Sequence, residues 1–76
     1  MKLTSNEICQ VVGTQLGLRK VTPDMHLRDD LGAESIDIQN LVMTLEDKYG
    51  IRMDDNDLEQ FQHVGDIYEW LHARLN

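Results

Sequence analysis

The chain has 76 residues, 41% of them hydrophobic, and a formal charge of −7 from fourteen acids against seven bases. That length gives one domain, which buries only about 60–65% of its unfolded surface and so depends on regular helix packing. The single Cys9 excludes an internal disulfide and a multi-cysteine metal site. No apolar run reaches membrane-spanning length, and Met1-Lys2-Leu3-Thr4-Ser5 has no apolar signal region, so a reducing, cytoplasmic setting is expected. The charge is uneven: residues 29–59 hold ten acids and two bases, a local −8, and the remainder sums to +1. Phosphate-rich nucleic acid needs the opposite sign and is excluded as a partner. An acidic face is suited to basic patches on other proteins, or serves only solubility.

In chain order, Thr4-Ser5-Asn6-Glu7 offers a capping box with Thr4 as N-cap. Ile8, Val11, Val12 and Leu16 follow at helical spacing, and Gly17 closes this first helix. Residues 18–34, punctuated by Pro23-Asp24 and Gly32, form a long irregular loop that Val21, Met25, Leu27 and Leu31 pin to the core. A loop of that length in so small a domain is often functional. A second helix is predicted from Ser35 to Tyr49, with Ile38, Leu41, Val42, Leu45 and Tyr49 as its core stripe and Gly50 as its C-cap. A short third helix is predicted near Asp55–Phe61, capped by Asp55. The last spans about Val64–Leu75, with Val64, Ile67, Tyr68 and Leu71 inward and Trp70 on the flank. His72 and Arg74 suit its C-terminal dipole, and His63 stands at its start. The expected fold is therefore an all-α four-helix bundle of three longer helices and one short one.

Asp30-Leu31-Gly32-Ala33-Glu34-Ser35-Ile36-Asp37 is the informative stretch, because it sets one serine where a turn feeds a helix. Ser35 fits an N-cap, although Ile38 stands where a capping box would want Glu or Gln. The same place suits a phosphodiester on the hydroxyl, since a helix start offers unpaired N–H groups and a positive dipole end. At ~100° per residue, Ile36, Asn40, Met43 and Asp47 align nearly opposite the core stripe. That places two apolar side chains beside acids, a pattern suited to docking. Asp54-Asp55-Asn56-Asp57-Leu58-Glu59 fails as a calcium loop in both frames, lacking the sixth-position glycine and the twelfth-position glutamate. His26, His63 and His72 are far apart and unaccompanied by cysteine, so no metal site is expected. Cys9 reads as a small buried hydrophobe, and no arrangement supports catalysis by this chain.

These residues resemble a known family. Asp30–Asp37 resembles the Asp-Ser-Leu attachment motif of acyl carrier proteins, and Leu41–Tyr49 resembles the segment that follows it. The resemblance implies that Ser35 receives 4′-phosphopantetheine from a separate phosphopantetheinyl transferase. It also implies a carrier, not an enzyme, whose arm holds acyl groups as thioesters for partner enzymes. Glu34, Ile36, Asp37, Met43 and Asp47 would form the partner-facing surface, and Leu45, Met53, Phe61 and Ile67 would line a shelter for the acyl chain. Glu34 and Ile36 replace the family's commoner Asp and Leu, keeping charge and size. Gln39 and Asn40, and Asp54 in place of a common proline, alter the docking face and lean toward a dedicated carrier, with fatty-acid and specialised biosynthesis both open as its setting. A free-standing monomer follows, and an unmodified acidic adaptor for a basic partner is the competing reading.

Overall fold

The computed structural model describes residues 2–75. Helix α1 spans Ser5–Leu16, α2 Ser35–Tyr49, α3 Asp55–Glu59 and α4 Val64–Leu75, and the described residues contain no strand. The Cα radius of gyration is 11.2 Å, against about 11.4 Å expected for a folded domain of this length.

Each helix end has a local cause. Before α1, extended Thr4 accepts the N–H of Glu7 on Oγ1 at 3.2 Å. The Glu7 carboxylate, expected to reach back to the cap, instead accepts the Tyr49 hydroxyl at 2.6 Å and ties α1 to the end of α2. Burial, that hydrogen bond and the Glu7 charge all push the Tyr49 phenol above its ordinary pKa. Gly17 and Gly50 close α1 and α2 in the left-handed region at φ 72° and 65°, where a side chain would be strained. The cap of α3 is Asp54, not the expected Asp55, and the helix ends at Glu59 before Phe61. Asp54 Oδ1 accepts the Asp57 N–H at 2.9 Å while Asp57 Oδ2 accepts the Asp54 N–H at 3.1 Å. A proline at position 54 has no N–H to give, so this box exists because aspartate stands there.

The core joins Ile8 and Val12 of α1, Leu41 and Leu45 of α2, and Val64, Ile67 and Leu71 of α4, all at 1% exposure or less. Cys9 lies within it, and burial followed by the nearby Asp24 charge raises its thiol pKa. On α4 the expected flank is reversed. Trp70 is buried and Tyr68 only half-buried, against the His72 ring. The short α3 decides this by covering the Trp70 side: indole Nε1 donates to Asp57 Oδ1 at 3.1 Å, and Phe61 meets the ring edge-on. The Arg74 guanidinium lies 3.6 Å from the ring centroid on the outer face.

The long loop is more ordered than its composition implies. Leu27 is fully buried, while Val21 and Leu31 pack half-buried on the core. Met25 contributes mainly backbone, its carbonyl accepting the Val64 N–H at 3.1 Å. The Leu27 N–H donates to Gln62 O at 2.8 Å, so residues 25–27 pair antiparallel with 62–64 around His26 and His63. His63 stands one residue before α4, where Asp66 Oδ2 accepts its N–H at 2.8 Å.

Candidate carrier site

Ser35 is the first residue inside α2; the N-cap is Glu34, at φ −96° and ψ 173°. The capping role that the sequence allowed Ser35 falls to its neighbours. The Asp37 carboxylate accepts the Glu34 N–H at 2.9 Å, and both acids complement the positive end of the helix dipole. The Ser35 hydroxyl is thereby released from capping and is exposed to solvent. Ala33 before it and Ile38 after it are buried and fix its place at the head of the helix.

The approach to Ser35 is held by a histidine. His26 Nδ1 accepts the N–H groups of Arg28 and Asp29 at 3.2 and 3.0 Å, and Asp30 Oδ2 accepts the His26 N–H at 2.7 Å. The Ala33 N–H closes back on Leu27 O at 2.9 Å. Sequence reasoning weighed His26 only as a metal ligand and did not find this role. The available signal was a histidine two to four residues ahead of polar turn residues, where a side-chain acceptor can bind backbone N–H groups. Arg28, also missed, extends from this turn and brings Nη2 to 3.5 Å from Ser35 Oγ.

An open cleft of about 780 Å³ begins at Ser35. Ile38 and Gln39 of α2 line it with Ser35, Asp55, Leu58 and Glu59 of α3 face them, and Phe61 lies among the linings. Of the four residues expected to line a shelter, only Phe61 touches this cleft. Leu45 and Ile67 are sealed in the core, and Met53 packs against it with its N–H on Glu46 at 2.8 Å. The interior is filled because α2 and α4 both close on α1, and the cleft beside Ser35 opens where the short α3 stands off α2. On the outer side of α2, Ile36 and Met43 are each 60% exposed, and Glu34, Asn40 and Asp47 are exposed with them. Asp37 is half-buried, being engaged with Glu34.

The family model described as "Phosphopantetheine attachment site" matches residues 6–71. The chain belongs to the acyl carrier protein family. It is 38% identical over 72 residues to an acyl carrier protein of Thermotoga maritima, covering 92% of this chain and 89% of that one. It is 39% identical over 67 residues to one from Syntrophobacter fumaroxidans, covering 86% of this chain and 83% of that one. Among solved structures, a Mycobacterium tuberculosis chain provisionally placed in the same family matches with TM-score 0.86 at 28% identity, over 93% of this chain and 97% of that one. A Thermotoga maritima acyl carrier protein matches with TM-score 0.76 at 25% identity, over 92% and 84%. Acyl carrier proteins are carriers rather than enzymes, and the group they bear is 4′-phosphopantetheine. Family membership also implies a phosphopantetheinyl transferase and acyl-handling enzymes as partners. No helix among the described residues is long and apolar enough to cross a membrane.

The residues at the head of α2 fit that group. An exposed hydroxyl stands where helix N–H groups lack intrahelical partners, with a guanidinium beside it, and both features favour a phosphodiester.

Proposed function

We propose that this chain is a free-standing, monomeric, single-domain acyl carrier of the cytoplasm, and that Ser35 bears its 4′-phosphopantetheine. The observation that carries this reading is the freed hydroxyl: Ser35 is exposed at the first position of α2, and Glu34 and Asp37 do the capping. When bound, the group supplies a long arm whose terminal thiol holds acyl chains as thioesters. The chain's own part is to present the hydroxyl, not to activate it. Among the described residues Arg28 is the one side chain bonded to Ser35 Oγ, and a guanidinium cannot take its proton. We therefore assign the base to the transferase.

Glu34, Ile36, Asp37, Met43 and Asp47 form the surface we assign to partner docking. The acids steer basic patches toward α2, and the two exposed apolar side chains supply contact area. Gln39 lines the cleft next to Ser35, and Asn40 lies on the exposed stripe, so both bear on what approaches the arm. With them, this face favours a dedicated carrier of a specialised biosynthetic pathway over the general fatty-acid carrier.

Incubation with coenzyme A and a broad-specificity phosphopantetheinyl transferase is expected to add one arm, seen by intact mass, and Ser35→Ala is expected to abolish the gain. An unchanged wild-type mass, with the transferase active on a control carrier, would leave an unmodified acidic adaptor as the better description.

A further inference from the structure

Arg28 stands out once the charges around the cleft are mapped. It is the only permanent cation among the residues lining it, where Asp55 and Glu59 are acids. Among the described residues Arg28 forms no salt bridge, although it stands directly before the acidic stretch that opens with Asp29 and Asp30. Its side-chain hydrogen bond is the one from Nη2 to Ser35 Oγ, at 3.5 Å. That is a long contact for a neutral hydroxyl, and it leaves most of the five donors of the guanidinium unused. The backbone beneath Arg28 is fixed, because its own N–H is held by His26 Nδ1 and its carbonyl accepts the Gly32 N–H at 3.1 Å. A cation with spare donors is thus set beside the one oxygen to which the phosphodiester would be joined.

We propose that Arg28 holds the phosphate of the arm, forming charge-assisted hydrogen bonds to its free oxygens and fixing where the arm leaves Ser35. This rests on Ser35 being the attachment point. The physical need is local. A phosphodiester on Ser35 places a negative charge between Glu34 and Asp37, and Arg28 is the cation in contact with that oxygen. A guanidinium can grip two phosphate oxygens at once, which a lysine cannot. Arg28 also lines the cleft with Gln39 and Phe61, so a phosphate held there directs the arm over that cleft rather than out into solvent.

The test compares the unmodified and modified forms of wild type, Arg28→Gln and Arg28→Lys. Intact mass first establishes that each variant takes up the arm, and circular dichroism that each folds, as an exposed side chain at position 28 allows. In nitrogen-15 spectra the Arg28 Nε–Hε resonance is expected to shift on modification, while those of Arg19, Arg52 and Arg74 stay in place. Phosphorus-31 relaxation is expected to report a restricted phosphate in wild type, a freely moving one in Arg28→Gln and an intermediate one in Arg28→Lys. Raising the salt is expected to loosen the wild-type phosphate toward the Arg28→Gln value. A modified wild type whose Arg28 resonance does not move, with the same phosphorus relaxation in all three proteins, would overturn the role of Arg28 and leave Ser35 as the attachment point. An absent mass gain in wild type would overturn both.

Discussion

At the scale of the residue, the exposed apolar pair on α2 and Asp57 in the middle of α3 serve opposite ends. Met43 is 60% exposed, and replacing it removes little packing. Met43→Glu is expected to change stability by no more than about 0.5 kcal/mol, while slowing acyl transfer to partner enzymes; thermal melts and transfer assays measure the two separately. Asp57 acts inward. The Asp54 N–H, the Trp70 indole and the Arg74 charge hold its carboxyl below the usual aspartate range, against the opposing effect of burial. A group whose pKa is lower in the folded state contributes stability that is complete above the unfolded value, about 3.9. That contribution is lost as pH falls through the lower folded value. Asp57→Asn is therefore expected to destabilise the protein at neutral pH and to narrow its difference from wild type as acid is added, read from denaturation midpoints across that range. Asp24, lowered chiefly by the Thr22 hydroxyl, adds to the same acid limb and stays in both proteins.

At the scale of the element, α3 is the piece whose existence hangs on few contacts. It has five residues, too few to be helical on their own. The reciprocal Asp54–Asp57 bonds and the Trp70 indole hold it in place. Asp54→Ala is expected to cost about 1 kcal/mol, concentrated in local opening. Amide exchange at Leu58 and Gln60, which donate to Asp54 O and Asp57 O, should quicken before the core amides do. Since α3 forms one side of the cleft, the same variant should also widen the space next to Ser35. The loop between α1 and α2 behaves differently. It has no regular repeat, yet Leu27 is sealed in the core, His26, Asp30 and Gln62 O accept its N–H groups and the Val64 N–H donates to Met25 O, so Ser35 is presented from a fixed turn.

At the scale of the whole molecule, charge is the dominant liability. A −8 segment covers α2, α3 and the turns at their ends, and a charge so far from neutral destabilises the compact state through self-repulsion. Melting temperature is therefore expected to rise between ~0.01 M and ~0.15 M salt, where the screening length falls from about 30 to about 8 Å. Differential scanning calorimetry at several salt concentrations checks this. A flat response would mean that the acids are too well spread over the surface to repel one another. The same acidity that costs stability gives encounter rate with basic partners, so salt should slow transfer as it steadies the fold.

The sequence by itself determined the helices, their order, the glycine caps of α1 and α2, the core stripe of α2 and the serine at its head. These follow from spacing and from residues with strong local preferences, and local physics acts before packing does. The exposed stripe of Ile36 and Met43 was legible for the same reason, being a matter of angle along one helix. Only tertiary structure decided what depends on neighbours distant along the chain. Trp70 turned inward because α3 lies against it. The expected shelter residues Leu45 and Ile67 vanished into a filled core. The Asp54 cap of α3 and the His26 clamp are local bonds within four residues, present in the sequence but not marked by any periodicity. Arg28 came to rest beside Ser35 because the loop folds back to the head of α2. Trp70, the shelter residues and Arg28 have no local pattern to betray them, since each is set by which surface folds over which.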